Sequence, residues 1–345
     1  MTGSGRLNHL SVPRLGLIAD DLTGACDTGA PFAVRGLRTL VLLAGGGDFD
    51  APADLLVVST DSRDDSPEVA GRKVRQACLA LERRGASLFY KKLDSTLKGN
   101  LGSEIDAALA GGGHPFALVA PAFPAMGRTL VDGRLHVHAV DTGDDLRARL
   151  SGRATVVDAS TDADLAQIAR AAWAKRPRPL LVGSSGLARC LAAQMGRAPT
   201  AGQRGAYPVA LPVAVVIGSE NPVTDAQVAR LVADGAPETV QHPVVRVSWS
   251  DPHRLSGLLM HLGEGNFHGL ICSGGDTAAL VCSLLETQAI YLEGEIQTGL
   301  PWGRLVGGRA PGLPIATKAG GFGGDDALCA AVDFLARVPT EKRSR

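Results

Sequence analysis

At 345 residues the chain is too long for one ordinary core and comfortable for two. Hydrophobic residues make up 45% and charged residues 20%, a globular composition and not a disordered one. With 35 basic and 35 acidic side chains the formal charge is zero, so nothing points to a polyanion such as DNA or RNA, and an anionic small substrate would need a local basic site.

Residues 1–14 hold no apolar run and read as a flexible tail, not a signal peptide. No apolar stretch approaches the ~20 residues that cross a bilayer, so no membrane partner is expected. Six cysteines follow neither a CxxC nor a zinc spacing. They read as reduced, buried thiols, and the expected compartment is the cytoplasm.

From Leu15 onward short apolar runs alternate with helical patterns. In the first half the runs at 15–19, 39–43, 55–59, 88–91, 116–120, 155–157 and 180–182 read as strands, and 67–84, 103–110, 162–174 and 187–195 as helices. This rhythm predicts an α/β protein with a mainly parallel sheet flanked by helices, its strands apolar on both faces. Residues 196–212 carry Gly, Pro, Ala, Gln and Arg without periodicity and read as a linker between domains at 15–195 and 213–340. The second half repeats the rhythm, with strands at 213–217, 244–247, 269–272, 289–292 and 314–317. Its helices are expected at 223–233, with Thr224 as a cap, and at 253–262, 277–285 and 326–336.

The chemistry-bearing residues cluster where strands end, which in open α/β sheets is where ligands bind. Asp20 and Asp21 follow the first strand as adjacent carboxylates, fit to orient or deprotonate a hydroxyl; the competing reading is that one of them caps the next helix. Arg63 follows the third, with the fork that binds carboxylates. Lys91, Lys92, Asp94, Ser95 and Lys98 form a dense anion- and polyol-binding run, and Arg128 stands beyond two prolines in the next loop. In the second half Ser219 follows a strand, Gly274-Gly275-Asp276-Thr277 lies between a strand and a helix, and Lys318 precedes Gly320-Gly321. Glycine-rich strand-to-helix turns expose backbone N–H groups to phosphate.

The strings IADDLTGA, TDSR, YKKLDSTLKGN, APAFPAMGR, GSENPVT, SGGDTA, GLPWG and KAGGFGG, in this order, resemble the motifs of the four-carbon acid sugar kinases across nearly the whole chain. The resemblance implies a sugar-acid site in the first domain, lined by Asp20, Asp21, Arg63, Lys91, Lys92, Asp94 and Ser95. It implies ATP against Ser219, Gly274–Thr277 and Gly320–Gly321 in the second, with Mg²⁺ held through few protein ligands. A second copy of the chain, in a homodimer, is a partner the resemblance allows. The chain departs from the family at Lys98, where Arg is more usual and the bidentate fork is lost, and at residues 140–153, a segment shorter than usual.

The expected activity is therefore ATP-dependent phosphorylation of the terminal hydroxyl of threonate or erythronate, with Asp20 or Asp21 as base. A 3-oxo-tetronate substrate and a non-catalytic sensor are the alternatives. No GxxxxGK[ST], protein-kinase or GxGxxG fingerprint is present, which sets aside P-loop, protein-kinase and ordinary dinucleotide chemistry. His136 and His138 alternate as on a strand, but no third ligand follows and no metal site is assigned. Trp302 either borders the nucleotide or packs in the core.

Overall fold

The structure is a computed structural model that describes residues 14–43, 52–196, 212–233, 244–247 and 267–338. The tail, most of the linker and the helix expected at 253–262 lie outside those residues.

The first half is a parallel block of β1 (Arg14–Ala19), β2 (Thr39–Leu42), β3 (Leu55–Ser59), β4 (Ala86–Lys92), β5 (Ala117–Ala120), β9 (Ala154–Val156) and β10 (Leu180–Gly183). Its helices are α1 (Leu22–Val34), α2 (Pro67–Arg83), α3 (Leu101–Gly111), α4 (Asp162–Ala174) and α5 (Ser185–Met195). Local chemistry starts them: Ser66 caps α2 with Pro67 in the first turn, and Thr161 and Asp164 form a reciprocal capping box on α4. Between β5 and β9 the chain inserts a separate antiparallel sheet of β6 (Arg128–Val131), β7 (Arg134–Val137) and β8 (Val140–Asp145). His136 lies on β7, whereas His138 sits in the left-handed turn after it (φ 49°), so the two do not share a strand face.

The second half contributes β11 (Val213–Ile217), β12 (Val244–Arg246), β13 (Gly269–Ser273), β14 (Ala289–Gln297), β15 (Leu300–Val306) and β16 (Pro314–Lys318). Its helices are α6 (Pro222–Ala233), α7 (Gly275–Leu284) and α8 (Ala327–Leu335). The GLPWG string lies on β15, a strand that the turn-like Gly and Pro concealed. There Trp302 stacks edge-on against Phe334 at 5.0 Å, in the core and not at the cleft.

Each half carries its mainly parallel block, but the blocks are not separate sheets. One 13-stranded sheet runs β12-β11-β13-β16-β15-β14-β2-β3-β1-β4-β10-β5-β9. The join is the antiparallel pairing of β14 with β2, Ala289 opposite Leu42 through Leu292 opposite Thr39. Three antiparallel pairings lie between the blocks (β16/β15, β15/β14 and β14/β2), so the blocks run in opposite senses. Twist of about 20–25° per strand pair accumulates along that path. Helix α1 bridges the halves, packing on β14, β15, β16 and α7 as well as on its own strands. It is buried almost throughout, which is why it reads as a mixed Gly/Ala/Thr run and not an amphipathic stripe.

Candidate active site

A cleft of about 490 Å³ opens where the strand ends of the two blocks meet. Its first wall is Asp21, Thr23, Gly24 and Asp27 on α1 and its cap, Arg63 after β3, Lys92 at the end of β4 with Asp94, Ser95 and Lys98 beyond it, and Arg128 and Ser185. Its second wall is Ser219 to Pro222, Gly275, and Ala319 to Phe322. Of the residues singled out from sequence, Asp21, Arg63, Lys92, Asp94, Ser95, Lys98, Arg128, Ser219, Gly275, Gly320 and Gly321 line it. Asp20, Lys91, Gly274, Asp276, Thr277 and Lys318 do not.

The two aspartates divide the roles their adjacency left open. Asp21 is the N-cap of α1: Oδ1 accepts from the Gly24 amide (3.1 Å) and Oδ2 from the Thr23 hydroxyl (2.7 Å). It also faces the second wall, since a Cβ on Gly275 would stand 2.9 Å from its Oδ2. Asp20 is 3% exposed, and its Oδ1 is buried with no hydrogen-bond partner among the described residues. Burial would raise the Asp20 pKa, but Arg63, Lys92 and Lys91 outweigh it and lower it to about 2.

Arg63 spends its fork inside the protein. Nε donates to Asp20 Oδ2 (2.7 Å) and Nη2 to Asp21 Oδ1 (2.9 Å), with Asp94 Oδ2 at 3.5 Å. Burial works against its charge, and the carboxylates of Asp21 and Asp20 more than restore it, holding the guanidinium protonated. Here the fork is taken by protein carboxylates, and the sequence offers no sign of that closure because the partners lie 42 and 43 positions away.

Lys91 and Lys92 point to opposite faces of β4, as neighbours on a strand must. Lys91 is fully buried on the α3 side, paired with Glu104 Oε2 at 2.7 Å and donating to the Lys92 carbonyl at 2.7 Å. Glu104 Oε1 accepts from the Ser62 hydroxyl (2.6 Å), which meets Thr60 Oγ1 at 2.7 Å. This chain ties β3, β4 and α3 together beneath the site, so in this geometry Lys91 is a supporting residue and Lys92 the cleft cation. The period-2 alternation of a strand is the signal that distinguishes them. Glu104 had no such signal. Lys92 Nζ makes no hydrogen bond or ion pair among the described residues, and it stands 2.9 Å from where a Cβ on Gly24 would be.

Arg128 reaches across the cleft. Its guanidinium lies over the Phe322 ring (5.0 Å) and Nη1 donates to the Met126 carbonyl (2.5 Å), while Nε is buried without a hydrogen-bond partner among the described residues. Phe322 also stacks edge-on with Phe123 at 5.9 Å.

The second wall is made of backbone. Gly274 (φ 113°) takes a conformation that side chains rarely adopt and delivers Gly275 to the N-terminus of α7. Gly320 has no room for a side chain, because a Cβ there would stand 2.2 Å from Ser219 Oγ. Lys318 is 1% exposed and turned inward, away from the cleft. Its Nζ donates to the carbonyls of Gly320 (2.9 Å), Ala319 (3.1 Å) and Phe322 (3.3 Å) and to Thr224 Oγ1 (3.3 Å). Burial lowers its pKa to about 8. Gln227 Nε2 donates to the carbonyls of Phe322 (3.0 Å), Gly323 (3.2 Å) and Gly324 (2.8 Å). With its carbonyls drawn inward, the glycine loop is a backbone concavity of the kind that binds anions. Thr224 is not a helix cap: it lies inside α6, and its hydroxyl donates to the Gly320 carbonyl (2.9 Å), while Asn221 Oδ1 receives the Val223 amide (3.0 Å).

These loops fit a nucleotide triphosphate: two glycine turns crowd the cleft and one is held from beneath. Among the described residues no group of three or more His, Cys, Asp or Glu could hold a metal. Mg²⁺ bound with phosphates needs only one or two carboxylates. Asp21 and Asp276 flank Gly275, and burial, then repulsion from Asp64, Asp61 and Asp21, raises the Asp276 pKa, a crowding that a cation would relieve.

Comparison with known proteins matches the same two halves. Residues 15–146 and 140–191 match the family model of a sugar-binding N-terminal domain, and residues 251–328 that of a nucleotide-binding C-terminal domain. The two pieces of the first match meet at 140–146, where the segment reads as shortened. The chain is 32% identical to the D-threonate kinase of Bordetella bronchiseptica, over 94% of this chain and 98% of that one. It belongs to the four-carbon acid sugar kinase family. It is also 28% identical to the D-erythronate kinase of Heliobacterium modesticaldum, over 92% and 96%, and 29% identical to the 3-oxo-tetronate kinase of Methylobacterium radiotolerans, over 93% and 99%. A solved Haemophilus influenzae structure shares the fold of this kinase, with a TM-score of 0.70 at 22% identity, covering 93% of this chain and 100% of that one. The protein is thus a sugar-acid kinase with ATP as the implied phosphate donor, and no described helix is long and apolar enough to cross a membrane.

Proposed function

We propose that this kinase phosphorylates the terminal hydroxyl of threonate or erythronate, giving the 4-phosphate. The observation that carries the reading is the opposition of walls in one cleft: Asp21 and Lys92 on one side, Gly275 and Gly320–Gly321 on the other. ATP, when bound, would supply the phosphoryl group, and Mg²⁺ bound with it the positive charge that offsets the phosphate oxygens.

The residues then act by position. Asp21, at the cleft and beside Gly275, orients the terminal hydroxyl and takes its proton; Asp20, buried and ion-paired, holds Arg63, and Arg63 holds Asp21. Lys92 and Arg128 meet the substrate carboxylate, with Asp94 and Ser95 beside them. Gly275, Gly320 and Gly321 present amides to phosphate, and Asp276, next to Gly275, is the carboxylate that would hold Mg²⁺. The KAGGFG form of the last loop, similar to threonate and erythronate kinases, supports the substrate choice over a 3-oxo-tetronate.

The test is ADP release, in a coupled assay with ATP and Mg²⁺, across D- and L-threonate, D- and L-erythronate and the 3-oxo-tetronates. Turnover on a tetronate is expected. Preference for a 3-oxo-tetronate would replace the substrate, and binding without turnover on any acid would favour a sensor.

A further inference from the structure

Asp27 is a cleft residue that the mechanism above does not use. It lies on α1, six residues beyond Asp21, a rise of about 9 Å along the helix, so the two carboxylates address different ends of a ligand in the cleft. Its side chain is 5% exposed yet lines the cleft. Oδ2 accepts a short hydrogen bond from the Ser185 hydroxyl, itself 3.0 Å from Thr28 Oγ1. Oδ1 is buried with no hydrogen-bond partner among the described residues.

A carboxylate oxygen without a donor in a dry site is costly, and folding gains nothing from it. Two cations act on Asp27 through space, Lys92 from the cleft and Arg189, but neither donates to Oδ1: both Arg189 Nη atoms are committed to Glu295 (2.9 and 2.7 Å). The group therefore stands ready for a donor arriving from the cleft. A sugar acid offers two kinds of polar group. Its carboxylate only accepts and is repelled by Asp27, so it belongs with Lys92 and Arg128. Its hydroxyls donate, and one of them matches the open oxygen.

Resting on the kinase reading of the cleft, we infer that Asp27, oriented by Ser185, accepts a hydrogen bond from an interior hydroxyl of the sugar acid and so selects polyhydroxy acids over their deoxy counterparts. The pairing is acceptor-to-donor and charge-assisted, the stronger class of hydrogen bond. Burial raises the Asp27 pKa to about 6, against the Ser185 hydrogen bond, as expected of a carboxylate kept without a full set of donors.

The test is calorimetric titration of the full chain with D-threonate, D-erythronate and their 2-deoxy and 3-deoxy analogues, in wild type, Asp27→Asn and Asp27→Ala. Wild type is expected to bind a parent acid about 10-fold or more tighter than one of its deoxy analogues. Asp27→Ala should bind that pair alike, and Asp27→Asn, isosteric if the alanine variant fails to fold, should show a smaller preference. Equal losses on all ligands, an unchanged preference in the variants, or no tetronate binding to wild type would overturn the inference. ADP release by wild type reads the kinase proposal separately, so binding selectivity without turnover would leave this inference standing and sink that one.

Discussion

The first wall of the cleft, from the N-terminal half, is built from charged side chains held by other charged side chains. The second wall, from the C-terminal half, is built largely from glycine backbone held from behind. On the first, Arg63 gathers Asp20, Asp21 and Asp94, and Glu104 gathers Lys91 and Ser62. On the second, Lys318 and Gln227 between them take the carbonyls of Ala319, Gly320, Phe322, Gly323 and Gly324. A small acid rich in hydroxyls must be recognised by directional donors and acceptors, which only side chains vary. A phosphate chain needs close approach and converging amides, which any side chain would obstruct. In both walls residues that line the cleft are held by residues that do not.

That contrast can be broken in four places. Asp21→Asn should lower kcat about 100- to 10,000-fold while the KM for ATP stays near wild type; a variant with full turnover, together with a fully active Asp20→Asn, would remove the base from this pair.

The adjacent lysines give the next largest separation. Lys92→Met should raise the KM for the sugar acid by about 100-fold and leave the KM for ATP alone, because a desolvated charge pair with the substrate is worth about 2–5 kcal/mol. Lys91→Met should act on stability, by about 3–5 kcal/mol, since it leaves Glu104 buried and unpaired. Restoring part of that loss with Glu104→Gln in the same chain, read by denaturant unfolding, would confirm the supporting role. A KM effect from Lys91→Met in folded protein would contradict it.

Lys318→Met and Gln227→Ala should each raise the KM for ATP about 10-fold through loss of hydrogen bonds to the loop carbonyls, with the sugar-acid KM unmoved. Steady-state titration of both substrates reads this directly, and an effect on the acid instead would mean that the loop does not belong to the nucleotide.

The smallest effect is a pH dependence. Ser185, Glu295, Lys92 and Arg189 surround Asp27, whose pKa is raised from 3.8 to about 6. A raised carboxylate pKa favours the folded state below the unfolded value and loses that contribution as pH climbs through the folded one. The Tm of Asp27→Asn should therefore gain on wild type as pH rises from about 4 through 6, and a constant Tm difference across that range would count against the buried, charged carboxylate.

Much of the site was legible because its residues sit at the ends of apolar strands. The run Leu55–Ser59 and the helix Asp162–Ala174 fall where periodicity and turn residues put them. Strand-end placement brings Asp21, Lys92, Arg128, Ser219 and Gly320 to one cleft. Adjacency misled at Lys91, where strand alternation turns the side chain away. It also misled at Lys318, where a cation beside a glycine loop binds the loop's own carbonyls and does not line the cleft.

By itself the sequence determined the alternation of strands and helices, the segregation of polyol-type groups from glycine loops, and the family resemblance. Each of these depends on a local pattern or on residue type in order. Only the tertiary structure decided that the two parallel blocks join through β14 and β2, that Arg63 closes on three aspartates, and that Asp27 and Ser185 meet across 158 positions. Those contacts depend on which distant groups burial forces together, and a buried charge takes whichever partner the fold delivers to it.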